Sequence, residues 1–369
     1  MDNNFLALPS GALEPLVGLD SLILDYNRIS ALQPAKTYNL TKLSLGHNLI
    51  REIPSDAFNA FPAVVDLNLR GNLISNIEDV KLPKGLLTLD LGLNRVKTVP
   101  RFQLLNLQVL KLDKNSVEAL LQHNFVLLSN LQELDLSSNN ITTYFSNSFD
   151  GLGNLMKLDL SHNQIETLPK FGSLAQLEKL NLARNRIKEV TSLEQMENLA
   201  YLDLSSNEIA NIRPEALFND TNLVEILLQK NKLNSFKGLV GPFDRLRNLN
   251  LSNNEISYVY PTSFESFTEL WNLDLSNNRF TLFPTDFIKT CQELRYIGLS
   301  KNQIKNLNEM HFSNFPHLRA LDLADNLIEY VIPHAFVNST QLQELDLSGN
   351  KLETLEPDLF YVSCKKINA

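Results

Sequence analysis

The sequence predicts a repeat solenoid of the α/β class, in which short units stack and share one parallel sheet on a concave face. Three observations predict it: the pattern L-x-x-L-x-L-x-x-N occurs fifteen times with conservative substitutions, successive asparagines lie 21 to 24 residues apart, and the pattern runs through the 369-residue chain. Such a period is typical of solenoids. We therefore expect one domain over residues 1–369, with fifteen full repeats and a partial repeat at each end.

The leucines of each repeat predict one short strand. In Leu134-Asp135-Leu136, the alternation of apolar and polar residues places both leucines on the inner side. Each strand buries its leucines only when a neighbouring repeat stacks on it, so the strands are expected to pair in parallel. Their predicted centres lie near residues 22–24, 43–45 and 67–69, and continue in register to 345–347.

The asparagine that closes each pattern is predicted to turn the chain away from the sheet. Its amide offers two donors and an acceptor, which can satisfy backbone groups that the turn would otherwise bury unpaired. A leucine of similar volume could not replace those hydrogen bonds. This asparagine ladder consists of Asn27, Asn48, Asn72, Asn94, Asn115, Asn139, Asn163, Asn185, Asn207, Asn231, Asn254, Asn278, Asn302, Asn326 and Asn350.

The return half of the repeat predicts a convex side of loops and short helical turns. Segments such as residues 53–56 combine proline with polar residues. Where these segments are wider than the strand spacing of about 4.8 Å, the stack must curve with its strands inside. A phenylalanine often stands ten residues after the ladder asparagine, which indicates a buried aromatic spine formed by Phe58, Phe125, Phe149, Phe264, Phe312 and Phe336.

These leucine, asparagine and phenylalanine positions resemble the typical 24-residue class of leucine-rich repeats. The class occurs mainly in extracellular animal proteins such as Toll-type receptors, chaoptin-like adhesion proteins and Slit-like guidance proteins. The resemblance implies a leucine-rich repeat horseshoe that acts as a non-enzymatic protein-binding module, with a protein ligand on its concave or lateral surface. It also implies an extracellular or cell-surface location, as part of a receptor or adhesion ectodomain.

Two departures keep an intracellular alternative open. Five intervals of 21 or 22 residues are similar to the shorter intracellular class, and the cysteine-rich caps of extracellular members are missing. The alternative is a cytoplasmic scaffold or an enzyme-regulatory subunit. Both ends of the chain fall within a repeat, and we find no signal peptide or membrane segment. We therefore expect a fragment of a longer protein, the alternative being a complete cytosolic protein with frayed ends.

Composition and motifs favour binding over catalysis. The net charge of -9 argues against a nucleic acid partner, because phosphate binding requires clustered Lys and Arg. The catalytic, nucleotide-binding and zinc motifs that we sought are missing. His47 and His162 occupy the same repeat position but lie five repeats apart, too far to share a metal ion. We predict neither an enzyme, nor a metal site, nor a cofactor.

The two cysteines, Cys291 and Cys364, are predicted to be unbonded to each other. Cys291 stands where other repeats have leucine, which predicts a small buried apolar side chain. Cys364 approaches the equivalent place about three repeats later, and three strand spacings of about 4.8 Å exceed the Cα separation of about 7 Å that a disulfide allows.

An aspartate column occupies the outward strand position between the two inner leucines. Two interpretations are open: an acidic stripe for a cationic partner or metal, or a soluble residue that suits such strands. We favour the second, because Lys111, Leu227 and Gly298 interrupt the column. Its members are Asp90, Asp135, Asp159, Asp203, Asp274, Asp322 and Asp346.

Five sequons for N-linked glycans are present, at Asn39, Asn140, Asn219, Asn250 and Asn338. Chance alone predicts a similar number in a chain this rich in Asn, Ser and Thr, so the count does not indicate secretion. Asn219 and Asn338 share one exposed repeat position. A glycan on Asn250 would instead obstruct the concave face.

A basic and aromatic cluster is the candidate partner-binding site. Seven residues before the ladder asparagine, four successive repeats carry Arg247, Trp271, Arg295 and Arg319, with Tyr296 beside Arg295. Trp, Tyr and Arg dominate binding hot spots, and Trp271 is the single tryptophan. The alternative is that the arginines stack on the indole and shield it. An anionic or mixed partner surface would complement the cluster.

Overall fold

The structure is a computed structural model of the 369-residue chain. It describes residues 4–7, 18–33, 37–171, 174–193, 196–217, 222–284, 288, 290–307, 315–332, 335–336, 339–354 and 366–368. The chain divides into two compact units, Met1–Ile165 with Pro169–Asn181 and Glu166–Leu168 with Leu182–Ala369. Each unit is a parallel-strand solenoid. The expectation of a single domain remains a prediction.

The first unit contributes eight parallel strands to a sheet and a shorter parallel pair beside it. The sheet follows the order β1-β2-β3-β4-β5-β7-β9-β10, and β6 pairs with β8. These strands are β1 (Ser21–Ile23), β2 (Lys42–Ser44), β3 (Asp66–Asn68), β4 (Thr88–Asp90), β5 (Val109–Lys111), β6 (Ala119–Leu120), β7 (Glu133–Asp135), β8 (Thr143–Tyr144), β9 (Lys157–Asp159) and β10 (Lys179–Asn181).

The second unit repeats this arrangement. Its sheet follows the order β12-β14-β16-β18-β19-β21-β23-β24, and three short pairs join β11 to β13, β15 to β17 and β20 to β22. The strands are β11 (Glu189–Val190), β12 (Tyr201–Asp203), β13 (Asn211–Ile212), β14 (Glu225–Leu227), β15 (Ser235–Phe236), β16 (Asn248–Asn250), β17 (Tyr258–Val259), β18 (Asn272–Asp274), β19 (Tyr296–Gly298), β20 (Asn306–Leu307), β21 (Ala320–Asp322), β22 (Tyr330–Val331), β23 (Glu344–Asp346) and β24 (Lys366–Asn368).

The strands lie in the predicted repeats but begin one residue earlier than predicted. Pairing starts before the first inner leucine, because the N–H of Asp66 already donates to the carbonyl of Thr41 in the preceding repeat. In the three-residue strands from β1 to β23, the central residue is buried and pairs with its counterpart, as Leu43 pairs with Leu67. The outward residues of the strands form a surface that we call the strand face.

The asparagine ladder has the predicted role. Asn48 donates from Nδ2 to the carbonyls of Leu24 and Leu45, each at 3.0 Å, while its Oδ1 accepts the N–H of Ile29 at 3.0 Å. All fifteen side chains donate to the carbonyl three residues before them. Fourteen are buried, and Asn350 is half-buried. Fourteen of the ladder asparagines, as Asn48 shows, also bond to a backbone group of the preceding repeat and so link it to the turn of their own repeat.

The residue before each ladder asparagine adopts a left-handed backbone, which the sequence did not predict. Only Gly71 and Gly349 are glycines there, and the other thirteen carry side chains, with φ between 51° and 57° except for 59° at Lys230. This conformation costs a non-glycine residue roughly 1–2 kcal/mol. It directs the residue's N–H toward the next repeat, as the N–H of Leu93 donates to the carbonyl of Asp113 at 2.8 Å.

The return half is mainly irregular. Its helical structure in the described residues consists of two single-turn 3-10 helices, Ala57–Ala60 and Pro214–Leu217, and the helical residue Ile288. The aromatic spine is buried at Phe58, Phe125, Phe149, Phe264 and Phe336, whereas Phe312 lies outside the described residues. Phe125 and Phe149 stack with their ring centroids 6.3 Å apart. The short strand pairs also lie on this half, where two-residue strands leave no recognisable alternation in the sequence.

Candidate binding surface

The candidate site lies in the second unit, in the row of residues that immediately precede the strands. We call this the pre-strand row. The N–H of Trp271 donates to the carbonyl of Arg247, the N–H of Arg295 to Trp271, and the N–H of Arg319 to Arg295, at 2.8–2.9 Å. The backbone pairing of the sheet therefore sets the spacing of these side chains.

Three of the predicted site residues form a stack. The guanidinium carbons of Arg247 and Arg295 each lie 3.7 Å from a ring centroid of Trp271, and all three side chains are half-buried. Since the two arginines come from the repeats on either side of Trp271, they cover opposite faces of the indole. We call this group the Arg–Trp–Arg stack. The aromatic faces are occupied by the guanidiniums, whose N–H edges remain outside the stacking contact.

The stack brings two positive charges together without a recorded ion pair. Among the described residues, no salt bridge includes Arg247 or Arg295. Glu269 and Glu293 stand two residues before Trp271 and Arg295, and the recorded partner of Glu293 is His317, at 3.7 Å. Guanidinium edges without a carboxylate partner favour an anionic ligand.

The structure places Tyr296 apart from the stack. Tyr296 begins β19 and lies on the strand face, where its hydroxyl stands 2.7 Å from the position that a Cβ would take at Gly298. Burial, with smaller effects of Asp274 and Asp322, raises the pKa of Tyr296 to about 12. Arg319 is exposed, one repeat beyond Arg295. Of the five predicted residues, the structure joins three directly.

The aspartate column has a structural role in every one of its seven members. Each Oδ1 accepts the backbone N–H two residues later, at 2.8–3.0 Å, as Asp135 does from Ser137. Asn68 and Asn250 accept the equivalent bond. This N–H precedes the left-handed residue, and a short side-chain acceptor within the repeat satisfies it. Strand-face aspartates are therefore explained without a ligand.

The first unit has a polar cavity that the sequence analysis missed. It has a volume of about 380 Å³ and an amide-rich lining, formed by Leu87, Asn106, Gln108, Asn130, Gln132, Asn154, Met156 and Gln176. These residues occupy two repeat positions, the pre-strand row and the position two residues earlier. A comparison of these two positions from repeat to repeat would have shown that Asn and Gln recur at them. In the second unit the same positions hold Trp271 and Glu269.

The sequons differ in accessibility. Asn39 and Asn140 are exposed, whereas Asn219 and Asn338 lie outside the described residues. Asn250 is half-buried in β16, and its Oδ1 accepts both the N–H and the hydroxyl of Ser252, at 2.9 and 2.7 Å. Ser252 is the hydroxyl residue of that sequon and is itself buried. In the folded strand, the Oδ1 of Asn250 is therefore already engaged by Ser252.

The contacts of His47 and Cys291, the remaining residues singled out in the sequence, are those of structural side chains. His47 stacks on Tyr26 with ring centroids 4.4 Å apart, and the described residues contain no group of three or more His, Cys, Asp or Glu suited to a metal ion. Cys291 is fully buried, with its Sγ 3.7 Å from the carbonyl oxygen of Phe264, and burial raises its thiol pKa to about 12. Cys364 lies outside the described residues.

The family follows from the repeat and its profile. The leucine rich repeat profile matches residues 38–83, 105–165, 145–187, 175–233, 221–280, 268–328 and 292–352, well over half of the chain. The chain belongs to the leucine-rich repeat family. As a member, it has a fold adapted to protein interaction, consistent with the surfaces described above.

Relatives and solved structures agree with this assignment. The chain is 36% identical over 104 residues to the mouse (Mus musculus) leucine-rich repeats and immunoglobulin-like domains protein 2, an alignment covering 26% of this chain and 10% of the relative. It is 32% identical over 120 residues to lumican of Rattus norvegicus, covering 30% and 35%. The chain thus spans a minor part of these relatives. A leucine-rich repeat protein of Leptospira interrogans superposes with a TM-score of 0.82 at 27% identity, over 96% of this chain and 90% of that one.

Two solved complexes contain a chain with the same fold. The Drosophila Toll–Spatzle complex matches with a TM-score of 0.67 at 21% identity, over 95% of this chain and 46% of that one. The plant peptide hormone receptor RGFR1, solved with RGF2, matches with a TM-score of 0.68 at 23% identity, over 94% and 58%. In this chain, none of the described helices has the length and apolar character needed to cross a bilayer.

Proposed function

We propose that this chain is a non-enzymatic binding module of an extracellular or cell-surface protein, and that a protein partner docks on the flank of the Arg–Trp–Arg stack. The observation that carries the proposal is the half-buried stack itself, whose guanidiniums form no salt bridge with any carboxylate in the part of the chain that the structure describes. Desolvated Trp and Arg side chains of this kind are enriched in binding hot spots.

Two kinds of relative support the extracellular location. The immunoglobulin-like domains named for the mouse relative have a sandwich architecture common to many cell-surface domains. RGFR1 is a plant peptide hormone receptor that was solved with RGF2, and Toll was solved in a complex with Spatzle. The exposed sequon at Asn140 is compatible with passage through the secretory pathway. The second candidate function, an intracellular scaffold or enzyme-regulatory subunit, is favoured by the five shorter repeat intervals of 21 or 22 residues.

A binding screen tests the function. The purified full chain is presented to a panel of secreted, cell-surface and cytosolic proteins, and each binder is remeasured with the double variant Trp271→Ala, Arg295→Ala. We expect an extracellular binder whose affinity for the variant falls at least about tenfold, with a nearly unchanged melting temperature. The control is Gln108→Ala, Gln132→Ala in the amide-lined cavity. Undiminished binding to the stack variant, or loss of its fold, would reject this surface.

The compartment is tested on the natural protein. Mass spectrometry before and after endoglycosidase treatment should find a glycan on Asn140 and none on Asn250. An Asn140 side chain that is unmodified in the natural protein, together with partners found only among cytosolic proteins, would favour the intracellular scaffold.

A further inference from the structure

We infer that the Arg–Trp–Arg stack recognises an extended acidic segment of its partner, in which two carboxylates separated by one residue bind one guanidinium each. The inference rests on the proposed function, because it assumes that the flank of the stack is the docking surface. It adds the chemistry and spacing of the ligand.

The spacing comes from the stack. Two separations of 3.7 Å on opposite indole faces put the guanidinium carbons about 7 Å apart, which matches the advance of about 6.6 Å over two residues of an extended chain. In such a chain, residues i and i+2 point to the same side. Carboxylates at those positions can face Arg247 and Arg295 together, while the residue between them points away. Adjacent carboxylates would point to opposite sides.

The guanidiniums are held in place and available. Stacking uses their faces and leaves the N–H edges, which bind a carboxylate through two parallel hydrogen bonds. Arg70 in the first unit shows the contrasting case, since its guanidinium already makes both bonds to Asp113, at 2.8 and 2.6 Å. Because the indole restrains both arginines before the ligand arrives, less side-chain entropy is lost on binding.

The acidic neighbours favour discrete carboxylates over a continuous polyanion. Glu269 and Glu293 occupy the repeat position that, in the first unit, lines one cavity with the pre-strand row, as Asn130 and Gln132 do. Together with the net charge of -9, they would repel a long nucleic acid or sulfated glycan laid along this flank. A peptide can place its two carboxylates on the arginines and neutral residues elsewhere.

The single tryptophan makes the test specific, since all tryptophan fluorescence comes from Trp271. Two tryptophan-free peptides of identical composition are titrated into the full chain, one with aspartates at i and i+2 and one with adjacent aspartates. We expect a saturable fluorescence change, with at least about tenfold tighter binding of the i, i+2 peptide and weakening by salt. Equal affinity, or no change with either peptide, would refute the inference.

Variants separate the inference from the proposed function. Arg247→Gln with Arg295→Gln should abolish the peptide response, whereas Arg184→Gln with Arg186→Gln, which removes two exposed charges from the same unit, should retain it. Thermal melting checks that both variants fold. A protein partner that requires the stack while neither peptide binds would sustain the proposed function and reject the acidic segment. Tighter, stack-dependent binding of heparin or an oligonucleotide would reject it in favour of a polyanion.

Discussion

Arg70 reaches across an entire repeat to bind Asp113. Its Nη1 and Nη2 donate to the two carboxylate oxygens at 2.8 and 2.6 Å, and Nη1 also lies 3.4 Å from Asp90. The intervening repeat has Gly92 at the equivalent position, where a Cβ would collide with Arg70 Nη1 and Asp113 Oδ1. The hydrogen bond from Arg70 to Asp113 raises the pKa of the guanidinium. The ion pair between Arg70 and Asp113 therefore requires a glycine at position 92.

Gly92→Ser should lower the free energy of unfolding by about 1–3 kcal/mol, because it displaces the guanidinium from the buried Asp113. Chemical denaturation measures the change, and Gly85→Ser, where a Cβ meets only Val65 at 4.0 Å, is the control. In an Arg70→Gln background, Gly92→Ser should cost much less. An equal cost in both backgrounds would contradict the ion pair.

Asn139→Leu should destabilise the first unit by about 1–3 kcal/mol, since it leaves the buried N–H of Val117 without its acceptor. It also removes one of the two asparagine donors to each of the carbonyls of Leu112 and Leu136, which keep Asn115 and Asn163. Urea denaturation gives the value. The neighbouring Asn140→Ala, at an exposed side chain, should stay within about 0.5 kcal/mol of the natural chain. Similar effects at both positions would show that the ladder bonds are unimportant.

Ser206 has a φ of 55°, so substitutions at this position test whether its backbone is left-handed. Ser206→Val should lower the free energy of unfolding by about 1–2 kcal/mol, because a β-branched side chain tolerates positive φ poorly. Ser206→Gly should be neutral or stabilising, because glycine adopts this backbone freely. Denaturation midpoints of the three proteins should rank Gly at least equal to Ser, and Ser above Val. The reverse order would exclude a left-handed residue.

Asp135 predicts a dependence of stability on pH. Burial, with smaller effects of Asp113 and Asp159, raises the pKa of this carboxyl above its ordinary 3.8. The ionised form is therefore less favourable in the fold than in the unfolded chain, and this destabilisation disappears as the pH falls through the raised pKa. Asp135→Asn, which keeps an acceptor for the Ser137 N–H, should raise the melting temperature at pH 7, with a gain that shrinks on acidification.

The matched variant Asp135→Ala should lower the melting temperature at pH 7, because the N–H of Ser137 loses its acceptor. Differential scanning calorimetry over a series of pH values distinguishes the two effects. A gain for Asp135→Asn that persists unchanged at low pH would argue against a titrating carboxylate as its origin.

Cys291 should not react with a thiol reagent in the folded protein, since it is fully buried and its pKa is raised to about 12. After unfolding without reductant, titration should find two thiols, because Cys364 is also predicted to be unbonded. A count of zero in a monomer would refute that pairing prediction.

The repeat made the sheet predictable and left the details of the turns undetermined. Inner leucines such as Leu43 and Leu67 specify which residues are buried and which strands pair, because period-two alternation has a unique orientation toward a core. The left-handed backbone was not predictable, because residues as different as Tyr26, Leu93 and Ser206 occupy that position. Its cost is offset by hydrogen bonds to the next repeat, which lies 21 to 24 residues away.

The sequence predicted that the candidate site residues lie in one row, but it did not predict which of their side chains are in contact. Repeat position alone aligned Arg247, Trp271 and Arg295, because the sheet fixes their backbone spacing. Side-chain torsions then decided that both guanidiniums cover the indole. Tyr296 is adjacent to Arg295 in sequence, yet strand alternation directs it over Gly298 on the strand face. The sequence left two interpretations of Trp271 open, an indole shielded by arginines and a binding hot spot. The observed stack is compatible with both interpretations.

The hydrogen bonds of the asparagine ladder that join two repeats run from a side chain to the repeat before it in the sequence. Asn139 contacts the carbonyl of Leu112 and the N–H of Val117, both in the repeat that precedes it along the chain. A ribosome releases the preceding repeat first, with the N–H of Val117 still exposed to water, and the following repeat then delivers the asparagine oxygen that pairs it. Synthesis therefore proceeds in the same order as closure of the ladder, so that each newly released repeat can fasten the one already made.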